Sequence, residues 1–166
     1  MNPAPSPRRA RDAAHAAREV IELLEVLWER GRDAVSSTPV SPSQLRVLYI
    51  LDRDEGINLR TLGEVLGSAP SSVSRLCDRL QALGFVERAP SPVSRRELEL
   101  WLTGRGKSYL RDLRARREEA LLAVIGGMSP TARKGLVEGL TGFRTAVEDA
   151  APGHGVGAPD RDAQSA

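Results

Sequence analysis

Arginines set among small hydroxyl side chains carry the most chemistry in this sequence. Pro70, Ser71, Ser72, Ser74, Arg75 and Arg79 fall within one short segment, and Arg95 and Arg96 stand side by side further on. A guanidinium presents a planar fork of donors that fits a guanine edge or a phosphate oxygen, and serines are small enough to let a helix backbone approach base edges. Such a set offers non-covalent recognition of a nucleic-acid duplex. Taken singly, each of these would be an ordinary solvated residue of a helix or loop. Their neighbourhood favours a polyanion: within residues 67–96, Arg75, Arg79, Arg88, Arg95 and Arg96 face only Asp78 and Glu87, a local excess of +3 in a chain whose net charge is +2.

Other chemistries lack their residues. No nucleophile with a base, no paired carboxylates and no phosphate-cradling glycine loop occurs at a recognisable spacing, which argues against an enzyme. His15 and His154 lie in the terminal regions, and the single cysteine, Cys77, allows neither an internal disulfide nor a thiolate-rich zinc site. No cofactor or metal is expected. Cys77 is spaced from Val73 and Leu80 as a small core residue, with an oxidation switch in the same helix as the alternative. No apolar run approaches the roughly 20 residues of a membrane helix. The first residues combine Pro3, Pro5 and Pro7 with Arg8, Arg9 and Arg11 and no apolar stretch, so a secretory signal is not supported and a cytoplasmic protein is expected. Those arginines suit a solubilising tail or, alternatively, an arm along a DNA backbone.

The elements that must position the arginines follow from periodicity and punctuation. Residues 8–36 read as a long helix, with Ala17, Val20, Ile21, Leu24, Leu27 and Trp28 on one stripe. Ser41-Pro42-Ser43-Gln44 supplies a capping box for a second helix carrying Leu45, Leu48, Ile50 and Leu51. Asn58 caps a short third helix that Gly67 ends, and Pro70 opens a fourth whose inner face is Val73, Leu76, Cys77, Leu80 and Leu83. That orientation leaves Ser71, Ser72, Ser74, Arg75, Asp78 and Arg79 outside. Residues 85–88 and 97–102 alternate in part and flank a turn-rich basic segment, which predicts a hairpin with Arg95 and Arg96 at its tip. Thr103 caps a further helix, and Ser129-Pro130 starts a last one with Leu136, Leu140, Phe143 and Val147 on one face. Residues 152–166 carry no periodicity and are expected to be disordered.

Two close short helices followed by a ribbon form the winged variant of the helix-turn-helix. The segment from Leu59 to Thr103 also resembles the DNA-binding lobe of MarR-family regulators. Leu-Gly-Glu-Val-Leu-Gly, Pro70-Ser71-Ser72-Val73-Ser74-Arg75-Leu76, Asp78-Arg79-Leu80, Leu83-Gly84-Phe85-Val86-Glu87-Arg88 and Leu102-Thr103 carry the resemblance, and the flanking helices extend it over roughly residues 11–150. It implies a mainly α fold with a small β-hairpin wing and a homodimer in which the first and the last two helices of each chain interlock. Two lobes then read a pseudo-palindrome in double-stranded DNA, with half-sites centred about 10 base pairs apart or a multiple of that. The expected organisation is a basic tail over 1–10, a dimerisation helix over 11–40, a winged lobe over 41–103, dimerisation helices over 104–151 and a tail over 152–166.

The resemblance further implies a repressor released by a small aromatic or lipophilic effector between the dimer helices and the DNA lobe. Trp28, Tyr49 and Trp101 are the candidates to line that pocket, with core packing as the other role for each. The family's peroxide-sensing branch keeps its cysteine in the first helix, which has none here. The wing departs from the family pattern, since Ser91 and Ser94 stand where acids usually brace the arginine, and Ala69 stands where a serine often caps the fourth helix, leaving Ser68 or Ser71 to do so. The rival reading is a winged helix that binds another protein and no specific DNA sequence.

Overall fold

A computed structural model of the chain describes residues 7–32, 40–92 and 97–150. Their order is α1 (Pro7–Arg32), α2 (Pro42–Arg53), β1 (Ile57–Asn58), α3 (Leu59–Leu66), α4 (Pro70–Ala82), β2 (Val86–Pro90), β3 (Leu98–Leu102), α5 (Gly104–Ile125) and α6 (Pro130–Ala150). The chain forms two units, Met1–Glu118 and Glu119–Ala166. Helix, helix, helix, helix, hairpin, helix, helix is the order the sequence predicts, with β1 added.

Local chemistry sets the helix ends. The Ser41 hydroxyl accepts from the Gln44 N–H at 3.3 Å while the Gln44 side-chain oxygen accepts from the Ser41 N–H at 2.8 Å, closing the capping box ahead of Pro42. Asn58 Oδ1 accepts from the Thr61 N–H at 2.9 Å at the start of α3. Gly67, at φ +60°, takes the left-handed conformation that ends α3, and the Ser68 N–H returns to the Gly63 carbonyl at 3.1 Å. Helix α1 is already helical at Pro7, one residue before the predicted start at residue 8, so residues 7–10 of the basic tail belong to the helix; a proline with its fixed φ suits a first turn. The predicted end of that helix, residues 33–36, and the tail over 152–166 lie outside the described residues.

The sheet is antiparallel in the order β1-β3-β2. Val86 faces Leu102 and Pro90 faces Leu98 in the wing, while Ile57 faces Leu100 on the other edge of β3. β1 has only two residues, too few to show an alternating pattern, and it exists because β3 offers an unpaired edge.

A single core lies within residues 40–110: Val47, Leu48 and Leu51 of α2, Leu62 of α3, Val73, Cys77 and Leu80 of α4, Phe85 and Val86, Leu100 and Leu102, and Leu110 of α5. Helix α6 has no fully buried side chain, only Leu136 being half-buried, and the described side chains of α1 are exposed or half-buried. Among the described residues no helix is long and apolar enough to cross a membrane.

The sheet passes into α5 through a tight junction. Thr103 donates its hydroxyl to the Gly84 carbonyl at 2.7 Å and accepts from the Gly106 N–H at 3.0 Å, while its own N–H donates to the Phe85 carbonyl at 3.0 Å. Gly106 is buried in this turn, and a Cβ there would collide with the Phe85 carbonyl oxygen, an immobile backbone atom. Gly106→Ala should therefore cost about 2–3 kcal/mol in urea unfolding, because the overlap outweighs alanine's helix preference. Gly104→Ala, whose Cβ would meet nothing within 4 Å, should unfold within about 0.5 kcal/mol of the parent or above it.

Candidate nucleic-acid interface

The rotation of α4 is fixed from inside. Val73, Cys77 and Leu80 are removed from solvent completely, and Leu76 and Leu83 are half-buried. At 100° per residue this turns Ser71, Ser72, Arg75, Asp78 and Arg79 outward, as the sequence predicts. Ser74 was expected beside them and is half-buried instead, because position 74 adjoins the inward stripe on the helix wheel. Pro70 is the first helical residue and exposed. Ala69 caps α4 without a side-chain bond, and Ser68 donates its hydroxyl to the Leu66 carbonyl at 3.4 Å, so neither Ser68 nor Ser71 takes over the missing cap. The first turn of α4 keeps the positive end of the helix dipole, although Pro70 has no N–H and the Ser72 N–H already donates to the Ala69 carbonyl at 2.9 Å.

The outward residues divide between two flanks. Ser72, Arg75, Leu76 and Arg79 line an open groove of about 380 Å³ together with Ser43 and Arg46 of α2 and with Leu66 and Ser68. Arg46, Arg75 and Arg79 form no hydrogen bond or ion pair with any described residue. Asp78 faces the wing, where its Oδ1 accepts from Arg88 Nη2 of β2 at 2.7 Å. Asp78 and Arg88 therefore neutralise each other and brace α4 against the sheet, and neither counts toward the charge free to meet a ligand.

Sequence reasoning missed Ser43 and Arg46, since nothing local to α2 announces which neighbour its outer face will meet. Arg95 and Arg96, with Ser94, lie outside the described residues. Ser91 extends the wing toward its tip: it is buried, and its N–H donates to the Glu97 carbonyl at 2.9 Å, adding one rung beyond the Pro90–Leu98 pair.

Two of the three aromatic candidates meet at one arginine. The Arg117 guanidinium of α5 lies 4.3 Å from the Trp28 ring centroid and donates to the Tyr49 hydroxyl at 2.7 Å. Arg114 sits 5.8 Å from the Tyr49 centroid and pairs with Asp52 at 2.7 Å. Two buried donors in this cluster, Trp28 Nε1 and Arg117 Nε, have no hydrogen-bond partner among the described residues. Trp101 is placed differently, with its ring against the Gly56 turn, where a Cβ would come within 2.9 Å of it. No group of three or more potential metal ligands occurs among the described residues.

Residues 38–97 match the model of the MarR family. An HTH-type transcriptional regulator of Bacillus subtilis, YfiV, is 29% identical over 130 residues, covering 76% of this chain and 81% of the relative. The crystal structure of RV1404 from Mycobacterium tuberculosis is 31% identical, covers 92% of this chain and 99% of its own, and superposes with a TM-score of 0.70. A Streptococcus pneumoniae FabT structure in complex with DNA shares the fold at 19% identity, with a TM-score of 0.62 over 85% of this chain and 98% of that one.

Burial pushes the Cys77 thiol up from its ordinary 9.0 to about 11, with Arg88 pulling it down and Asp78 adding a smaller push up. The thiolate fraction near neutrality falls about a hundredfold, so a water-soluble disulfide reagent should modify native Cys77 at about a hundredth of the rate in the unfolded chain, or slower. Because the unfolded chain gives up this proton first, the associated stability is full below pH 9 and lost as the pH climbs toward 11. Against Cys77→Ala, the parent should lose about 2 kcal/mol more over that interval in denaturant titrations.

Proposed function

Because this chain belongs to the MarR family and is a transcriptional regulator, we propose that it is a cytoplasmic homodimeric repressor that blocks a promoter by occupying a pseudo-palindromic operator. Pro70, Ser71, Ser72, Ser74, Arg75 and Arg79 enter the major groove or meet its phosphates, and Arg95 and Arg96 of the wing reach the minor groove or the backbone. The observation that carries this reading is that Arg75 and Arg79 stand exposed and unpaired among the described residues, on the side of α4 opposite a stripe with no solvent access. The shared fold of FabT, which was solved with DNA, supports it. Repression by occupancy asks for nothing beyond tight binding.

The dimer is supported by apolar surface. Val20, Ile21, Leu23 and Val26 of α1, Leu122 and Val124 of α5, and Val137, Leu140, Phe143 and Val147 of α6 are each at least half exposed. Large apolar side chains in such density on three helices call for a protein partner, and a second copy is the one always present. Two lobes related by a two-fold axis then meet half-sites on one side of the duplex.

Release of DNA by a small aromatic or lipophilic effector completes the proposal. Its support is the cluster of Trp28, Tyr49 and Arg117, where two buried donors lack acceptors among the described residues; each such group costs about 1–3 kcal/mol, which a phenol or carboxylate oxygen would recover. To act, the effector must bind one spacing of the lobes more tightly than the other.

Selection from random duplexes should enrich an inverted repeat, bound by a particle of twice the 18.0 kDa chain mass in sedimentation. Arg75→Ala should weaken it by about tenfold or more. A monomer at micromolar concentration, or no enrichment, would sink the reading. For the effector, a panel of small phenols and benzoates should contain members that quench Trp28 fluorescence in a Trp101→Phe background and weaken operator binding; quenching with unchanged DNA affinity would remove release from the mechanism.

A further inference from the structure

We infer that Arg46 of α2 is a phosphate anchor, gripping one phosphodiester of the duplex backbone in the groove between α2 and α4 and setting affinity without reading sequence. The inference rests on the DNA-binding reading above and adds to it a second helix and a separate kind of contact.

The geometry separates two jobs. Ser43 and Arg46 stand one turn apart on α2, and Ser72, Arg75 and Arg79 stand at matching intervals along the facing flank of α4. Three guanidinium groups thus border one groove of about 380 Å³ with no carboxylate on its walls. Like charges within a Debye length, about 10 Å at 0.1 M salt, repel one another, and the described residues supply none of the three with a counter-charge. An anion with several acceptor oxygens relieves all three at once, and hydroxyls at Ser43 and Ser72 add neutral donors. A phosphodiester has that chemistry, and the duplex carries one along each strand at every base step.

Arg46 itself suits a fixed anchor. Its neighbours Leu45 and Val47 are held in the core, Val47 with no solvent exposure, and the capping box at Ser41 and Gln44 locks the start of α2. The side chain is exposed and, among the described residues, unpaired, so its removal breaks no hydrogen bond or ion pair there. Because Arg46 lies across the groove from α4, on the flank away from Ser71 and Ser74, it meets the strand that borders the major groove and leaves base edges to α4. Phosphate contacts of this kind fix the register of a reading helix and carry no sequence information.

The test uses the full chain, the best duplex recovered by selection, and an unrelated duplex of equal length. Arg46→Ala should weaken both by the same factor, about tenfold at 0.1 M salt, and flatten the slope of log affinity against log salt by about 0.9. Arg46→Lys should restore most of the affinity, since a phosphate accepts a point charge. Base preference in a repeated selection should be unchanged. Inorganic phosphate added at fixed ionic strength should compete weakly and equally in parent and variant; strong competition that requires Arg46 would make the groove a free-anion site and overturn the assignment. Unchanged affinity, or a shift in the selected sequence, would overturn it as well. If the parent bound no duplex at all, the functional reading would fail first and this inference with it, whereas loss confined to Arg46→Ala bears on the anchor alone.

Discussion

Everything at the candidate interface depends on three side chains of α4 being buried. Val73, Cys77 and Leu80 have no solvent exposure, and together they hold one face of the helix in the core shared by α2, α3 and the sheet. Each such side chain is worth about 1.5–3 kcal/mol in removed apolar surface. A rotation of one residue would carry Ser74 and Asp78 toward that core, and burying a carboxylate without a partner costs more than the stripe returns. Sequence chemistry therefore aims Arg75 and Arg79 outward by forbidding the alternatives. Recognition residues on such a helix need no support of their own, because the helix cannot turn.

The same economy runs through the contacts around α4. Asp78 and Arg88 pair across to β2, so that the one acid on the outer face of the helix becomes a strut instead of a repellent for phosphate. Thr103 and Gly106 bind the end of the wing to α5 over a few atoms, through a hydroxyl that both donates and accepts and a residue with no Cβ. These contacts fall at the ends of elements, where hydrogen bonds are otherwise left unmade.

What the sequence made legible was local. The capping box at Ser41 and Gln44, the Asn58 cap, Gly67, the stripe of α4 and the hairpin all depend on residues within a few positions of one another, and each reads directly from type and spacing. What it hid was pairing across distance. Arg46 is an ordinary outward arginine until α2 docks beside α4; Asp78 and Arg88, ten positions apart, look like free charges until the sheet folds back; Arg117 reaches Tyr49 across 68 positions. β1 is too short to have a period and exists only as an edge partner of β3. The half-buried state of Ser74 shows the limit of a wheel drawn from sequence, which sorts residues into two faces where the molecule has flanks. The grouping of Trp28 with Tyr49 was readable as an aromatic tendency, but the cation between them and the separate seat of Trp101 were not.

The distribution of buried surface carries a further consequence for mechanism. The core belongs to residues 40–110, while α1, the end of α5 and α6 expose the large apolar side chains that a chain of this size would ordinarily cover. The distance between two lobes is set by surfaces that acquire their packing only on association, in the proposed dimer. Affinity for a two-half-site operator depends steeply on that distance, since both α4 helices must meet the duplex at one pitch. In the proposed dimer a small shift in how the long helices pack would change that distance, and Arg114 and Arg117, which tie α5 to Asp52, Tyr49 and Trp28, sit where such a shift would be felt.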